Sequence, residues 1–582
     1  MKLFSSITKF ITVAAAVALC CACTVKEKPD SFTYRIGIVG NPTDPDIRYD
    51  EAQLSALKKM GINMLQLNIA WGSRPGEEPL NLEDILYREG QGVGDKATID
   101  KRLENLKMRA RIAKDNGFRT LFHFGAPCVG YPLYKKLGSP ESIDAMTEEH
   151  SILKPEVVNK YVELLKQLKK EVPELDDIQV YTFDQEAWLG SEFGKSPSER
   201  DIPLHERVPG FLKKLTETWA EVSPGGRLWW EPWEISAGQI YAIIPELPTK
   251  NFGLFLHANI AEVQLTRPVD VWFKNTVRLL HQRGIPAAGE VFLCSANEEL
   301  QSLKYLAAPR LVGEQVDAIA NVPFISGIKE YYGLNPDRYD PSQLMAGLKF
   351  TKPGISNTEA LKELAQPYGA AAEDILTAWE ATSLAISLIP WDLSWRIRQL
   401  MVNTAGLRVY HQWDMAHLAG VVAPSPSWKS TRRSLFMLTE EEVVSPWLFE
   451  DVELRFKSSS DELEKAIAAF EKAQTSMQAM EPYTSYISNS LEDARKLEQL
   501  TTALRCYCRE SNLAYLMRQY VADKEPIPQT LTDRFVQIMQ IDIANQAKGY
   551  EKNINGQPTA GEMLALFQRD PVKWVSTYLI FR

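Results

Sequence analysis

From Thr33 onward, short apolar runs alternate with longer stretches whose apolar positions recur every three or four residues. Tyr34–Asn41 (YRIGIVGN) is strand-like, and a helical pattern over Glu51–Met60 follows, ending at Gly61. The second strand is Asn63–Trp71. A polar loop, Gly72 to Ala97, then leads into a helix over Ile99–Asn116. Arg119–Pro127, Asp177–Glu186, Gly226–Glu234, Asn251–Asn259, Pro286–Cys294 and Pro323–Tyr332 supply six further strands. Helical patterns at Lys154–Glu171, Leu204–Val222 and Asp270–Arg283 fall between them. Repeated strand-then-helix units predict parallel pairing, because parallel neighbours need a long crossover that a helix provides.

Eight such units close a cylinder, and roughly 300 residues is the size of a (β/α)₈ barrel with insertions. A doubly wound open sheet would carry a glycine-rich phosphate turn after its first strand. Tyr34–Asp46 contains no G-x-G-x-x-G. The predicted class is therefore α/β, a (β/α)₈ TIM barrel over residues 33–430 with its extensions. After the eighth strand the period changes. Ala371–Leu388, Leu393–Asn403, Ser460–Met480, Leu491–Ala522 and Leu531–Lys548 read as helices, with Leu463, Ile467, Phe470 and Ala473 on one face. A polar link at Lys457–Asp461 separates the longest of these from the barrel. Residues 431–582 are expected to form an α-helical C-terminal domain packed on the barrel.

The first thirty residues follow another pattern. Lys2 and Lys9 precede an apolar stretch, Phe10 to Leu19, too short for a stable transmembrane helix. Leu19-Cys20-Cys21-Ala22-Cys23 follows, as at a secretory cleavage site. The run resembles a bacterial lipobox, which implies a signal peptide over 1–22, acylation of Cys23 and a polar tether over 23–32. Charges soon after Cys23 resemble the export signals of Bacteroides-type surface lipoproteins. The expected location is the outer membrane, facing outward, held through the lipid on Cys23.

A hydrophobic fraction of 45% with 24% charged residues describes a globular chain, and a net charge of −10 argues against nucleic acid as a partner. Fourteen tryptophans and twenty-one tyrosines suit surfaces that stack on sugar rings, although cores use the same residues. Beyond the leader, Cys128, Cys294, Cys506 and Cys508 lack zinc-site spacing and are expected to be free thiols. No metal or other cofactor motif is present, and there is no G-x-S-x-G elbow.

Active sites of such barrels form at the C-terminal ends of the strands. Strand four ends in Asp184-Gln185-Glu186-Ala187-Trp188, and strand five in Glu231-Pro232-Trp233-Glu234. Strand seven carries Glu290, and strand eight carries Glu330 beside Tyr331 and Tyr332. Glycosidic bonds are cleaved by such paired carboxylates. One protonates the leaving oxygen, and the other attacks or activates water, at about 5–5.5 Å for retention or 6.5–9.5 Å for inversion. Asp184 and Glu186 lie two apart and share a face. Glu186, nearer the rim, leads the catalytic candidates, with Asp184 and Glu290 next. Glu231, Glu330, Trp188, Trp233, His257, Asn259 and Tyr331 are expected to bind substrate. His123 and Asn68 also lie near strand ends, while Trp230 fits a core position equally well.

These positions resemble clan A glycoside hydrolases, whose acid/base glutamate ends strand four and whose nucleophile ends strand seven. The resemblance implies those roles for Glu186 and Glu290, although Gln185 stands where that clan has asparagine. The D-x-E tail Asp184-Gln185-Glu186 is also similar to family 18 chitinase-like enzymes, with Thr182 where an upstream aspartate is expected. That likeness implies an acid role for Glu186 and substrate orientation by Asp184. The expected activity is hydrolysis of an oligo- or polysaccharide from plant or host. The competing reading is a surface lipoprotein whose degenerate barrel binds glycan without cleaving it.

Overall fold

The computed structural model describes residues 32–40, 49–69, 78–79, 81–86, 95–127, 151–181, 202–232, 235, 237–257, 269–295, 300, 303–335, 339–389, 402–403, 406–407, 446–478, 480–548 and 560–577. Cys23, Cys128, Asp184, Glu186, Trp188, Trp233 and Asn259 lie outside the described residues, as does the 430/431 domain boundary.

Eight parallel strands close into a barrel in sequence order: β1 Tyr34–Ile38, β2 Met64–Gln66, β3 Arg119–Gly125, β4 Asp177–Tyr181, β5 Leu228–Glu231, β6 Phe252–Leu256, β7 Ala287–Val291 and β8 Gly327–Glu330. β8 returns to β1 through Tyr34↔Gly327 and Ile36↔Lys329. Each strand is followed by a helix: α1 Glu51–Lys59, α2 Lys96–Asp115, α3 Pro155–Glu171, α4 Leu204–Val222, α5 Ala237–Ile243, α6 Val271–Gln282, α7 Pro309–Ala320 and α8 Pro341–Thr351. All eight strands fall inside the segments expected from the sequence. α5, α7 and α8 had no counterpart in that reading, α5 being only seven residues long.

Local chemistry sets the helix ends. Asp50, Asp95 and Asp270 accept hydrogen bonds from backbone N–H groups of Gln53, Thr98 and Phe273 at 2.7–2.8 Å, satisfying first-turn donors of α1, α2 and α6. Capping by Asp95 starts α2 at Lys96, three residues before the expected Ile99. Gly61 closes α1 at φ 86°, where its N–H reaches the Lys58 carbonyl. The loop ahead of α2 is tied to the barrel. Arg109 grips Glu78 through two 2.7 Å hydrogen bonds, and Glu78 also accepts from the Ile69 N–H at 2.9 Å.

Alternation along the strands divides the side chains between two apolar regions. Ile36, Met64, Leu121, Trp229, Phe255 and Ala288 form a separate cluster inside the barrel. Ile178, Val180, Leu228, Trp230, Leu254, Val291 and Ile328 join the layer under the helices. Trp230 is thus a packing residue between sheet and helices. Gly253 exists beneath Trp229 because a Cβ there would sit 2.5 Å from the indole ring.

Helices α9 Asn357–Ala365, α10 Ala372–Leu388, α11 Pro446–Ser476, α12 Tyr483–Ala522, α13 Gln529–Ala547, α14 Ala560–Arg569 and α15 Pro571–Thr577 follow the barrel. Two sequence expectations change here. Lys457–Asp461 is not a link but part of α11. Val402–Asn403, expected at the end of a helix, pairs antiparallel with Gly406–Leu407. The bundle shares one apolar core with the barrel's helical layer. Within the bundle Ser459 Oγ donates to the Ala385 carbonyl, and across the junction Ser490 Oγ donates to the Tyr305 carbonyl, both at 2.8 Å. Helices α12 to α15 enclose a second small core around Phe535, Phe567 and Trp574. Among the described residues no helix is long and apolar enough to cross a membrane. Cys294, Cys506 and Cys508 are buried.

Candidate active site

The barrel interior changes character along its axis. Its N-terminal end is closed by Asp177, which binds Arg119, the Trp229 Nε1–H at 3.1 Å and the Arg227 N–H at 2.8 Å. Next comes the apolar cluster, with Trp229 stacked on Phe255 at 4.5 Å. Two residues further along several strands, the inward positions turn polar: Gln66, His123, Gln179, Glu231, His257, Glu290 and Lys329, all buried. Such a layer is costly to desolvate unless its members pair or serve a ligand. It lies toward the C-terminal ends of the strands, where barrel active sites are assembled.

The layer has two halves. In the first, Gln179 Nε2 donates to Glu231 Oε2, and His123 Nε2 lies 3.3 Å from that oxygen. His123 stacks on Tyr181 with centroids 4.7 Å apart, and its backbone is clamped by Asn68 through bonds of 2.8 and 3.0 Å. In the second, Lys329 Nζ donates to Glu290 Oε1 at 2.8 Å and lies 5.3 Å from the Phe255 ring centroid. The other oxygen, Glu290 Oε2, has no hydrogen-bond partner among the described residues. Burial, then the charge of Glu231, push the Glu290 carboxyl upward, and Lys329 opposes both. Burial and then Lys329 drive His257 down to about 3, so its ring is neutral at physiological pH.

Several expected site residues sit in this layer, and others do not. Glu231, Glu290 and His257 are brought together. Glu330 points to the opposite side of β8 from Lys329, and its oxygens accept from the backbone N–H groups of Leu293, Tyr332 and Gly333 at 2.6–2.9 Å. Burial raises Glu330 to about 7 against those bonds. That arrangement knits β7 to the turn after β8 rather than offering a carboxylate to the interior. Tyr331 is buried edge-on against Phe292 at 5.5 Å. Lys329, Gln179 and Gln66 escaped the sequence reading. Their signal was a polar residue directly after an apolar one that packs under the helices, Leu65, Ile178 and Ile328. Among the described residues no group of three His, Cys, Asp or Glu side chains could hold a metal ion.

No protein-family model matches the chain, and no curated protein matches it. Solved structures do. A GH138 enzyme targeting pectin rhamnogalacturonan II aligns over 94% of this chain and 68% of its own, at 13% identity and a TM-score of 0.58. The α-amylase from Geobacillus thermoleovorans complexed with acarbose aligns over 55% of this chain and 79% of its own, at 12% identity and a TM-score of 0.33. A GH18 chitinase from Pseudoalteromonas aurantia aligns over 54% and 97%, at 13% identity and a TM-score of 0.30. The first of these shares the fold across nearly the whole chain, helical region included. The likeness to the GH138 enzyme, at 13% identity, is one of fold.

Proposed function

We propose that this chain is a glycoside hydrolase that cleaves a glycosidic bond in a complex plant or host glycan. The observation that carries the reading is the placement of Glu231 and Glu290. Two carboxylates project into one polar layer on an aromatic floor, near enough for the charge on one to raise the pKa of the other. Paired carboxyl groups in a dry, shaped site are what glycoside hydrolysis requires. A pair whose environments differ divides into a proton donor and an ionised partner.

Glu186 and Asp184, at the end of the fourth strand segment, remain the proposed rim residues, with Glu186 as general acid. In this scheme Glu186 protonates the leaving oxygen, while Glu290 or Glu231 faces the anomeric carbon or its attacking water. His257, Asn259, Trp188 and Trp233 are residues proposed to bind the sugar. Glu330, by its contacts, is proposed to support the loops, and Tyr331 to bind the sugar. The chain is proposed to act at the cell surface, held to the outer membrane by lipid on Cys23.

The test is a panel of plant and host oligosaccharides given to the wild type and to Glu186→Gln, Glu231→Gln and Glu290→Gln. The reading expects one substrate class to be cleaved by the wild type and losses of several orders of magnitude in at least two variants. The complete burial of Glu290 and its pairing with Lys329 favour a second reading, a barrel that holds glycan without cleaving it. Tight binding by every variant, without products from the wild type, would establish that reading instead.

A further inference from the structure

We propose that Lys329 is a positioning residue that fixes Glu290 by one oxygen, leaving Oε2 for a ligand in the barrel. The proposal rests on the glycosidase reading of Glu290, and its test separates the two. Glu290 and Lys329 are register partners on β7 and β8, so both side chains leave the sheet on the same side. The ammonium reaches Glu290 Oε1 at 2.8 Å and lies against Phe255, itself stacked on Trp229. An ammonium on the face of an aromatic ring is attracted by the ring's quadrupole, so the floor of the barrel also steadies the cation.

The two oxygens of Glu290 are unequal: Oε1 is committed to Lys329, and Oε2 has no partner among the described residues. A buried pair that served only packing would be expected to satisfy both oxygens, since an unsatisfied buried acceptor costs about 1–3 kcal/mol. The charges around Glu290 explain why a cation is needed. Glu231, facing it from β5, and burial itself both disfavour the ionised carboxylate. His257, at the end of β6, is neutral and supplies no positive charge. His123 on β3 lies beside Glu231. Lys329 is therefore the cation that opposes the rise. Burial, and then the Lys329 charge, hold His257 in the neutral form, which can accept a hydrogen bond from a sugar hydroxyl.

The experiment uses the full chain with carboxyl-¹³C-labelled glutamate, the Glu290 resonance being assigned by its loss in Glu290→Gln. Lys329→Met should raise the Glu290 titration by about one pH unit or more. Lys329→Gln keeps a hydrogen-bond donor without the charge, should move it in the same direction, and carries the test if the methionine variant does not fold. The acid limb of the kcat/KM profile should move by the same amount. An unchanged Glu290 titration in a folded variant overturns the proposal. A shifted titration with an unmoved rate profile leaves Lys329 in charge of the ionisation of Glu290 but removes its positioning role in catalysis. Near-normal turnover by Glu290→Gln defeats the catalytic reading of Glu290 independently of Lys329.

Discussion

His123 and Glu231 meet across the barrel from strands two apart. The imidazole Nε2 of His123 on β3 lies 3.3 Å from Oε2 of Glu231 on β5. Gln179, on the strand between them, donates to the same oxygen. Three successive strands thus converge on one carboxylate oxygen, and the Asn68 clamp on the His123 backbone extends the arrangement to β2.

That convergence predicts a graded response at Glu231. Glu231→Gln keeps the shape and loses the charge, so kcat/KM on the cleaved glycan should fall on the order of 10²–10⁴-fold. His123→Phe retains the stack on Tyr181 and removes the polar contact, so it should cost roughly tenfold. Circular dichroism should be unchanged in both. If Glu231→Gln turns over at near wild-type rate, the layer is a structural network and the catalytic pair lies elsewhere.

Much of the barrel was legible because its two periods are separable. Strands such as Arg119–Gly125 and Ala287–Val291 are short apolar runs, and Pro155–Glu171 carries a clear helical stripe. The seven-residue α5, the α7 helix, entered through Pro309 after a loop, and α8, entered through Pro341, were not read. Lys457–Asp461 looked like a link because polar residues cluster there. In α11 those residues occupy consecutive positions of one helix, with Lys457 paired to Asp461 one turn on and Ser459 buried against α10. The site was half legible. Glu231 and Glu290 stand out as charges in apolar strands, but nothing local says that Lys329 will face Glu290. That fact belongs to the closure of the sheet, which sets β8 beside β7 in a given register. Glu330 looked equivalent to Glu290 in sequence and differs because it lies one residue out of phase with the inward face.

The aromatic floor makes its own prediction. Gly253 lies beneath Trp229, where a Cβ would approach the ring to 2.5 Å. Trp229 is fully buried and stacked on Phe255, with Tyr34 edge-on at 5.0 Å, so the indole has no room to retreat. Gly253→Ala should therefore destabilise the chain by about 1–3 kcal/mol, as overpacked cores do. Urea denaturation gives the value. A loss below about 0.5 kcal/mol would mean that the floor is looser than the stack implies.

The proposed anchor is tested by fractionation. Cys23→Ser should move the protein from the membrane pellet to the soluble fraction, because no other lipid attachment is proposed. In cells that retain Cys23, labelled palmitate should enter the protein. Retention of the serine variant in the membrane fraction would place the anchor at Cys20 or Cys21, or in another segment.

The helical region carries a pH signature unrelated to the barrel. Glu510 on α12 and Asp542 on α13 bury carboxyl groups near each other, and Glu510 Oε1 and Asp542 Oδ1 have no hydrogen-bond partner among the described residues. Burial pushes Asp542 up to about 7, and burial followed by the Asp542 charge pushes Glu510 well above the carboxylate range. A raised acid binds more protons folded than unfolded across the interval between its two pKa values. Its contribution is therefore favourable at low pH and is lost as the pH climbs from about 4 toward 7 and beyond. The wild type should melt lower at pH 8 than at pH 5. Asp542→Asn removes one of the two buried ionisations and should narrow that difference by roughly 1–2 °C, corresponding to about 1–2 kcal/mol for a chain of this size. Scanning calorimetry at the two pH values measures it. Equal differences in wild type and variant would show that α12 and α13 are not held apart from water at this contact, and that both carboxylates ionise at no cost to the fold.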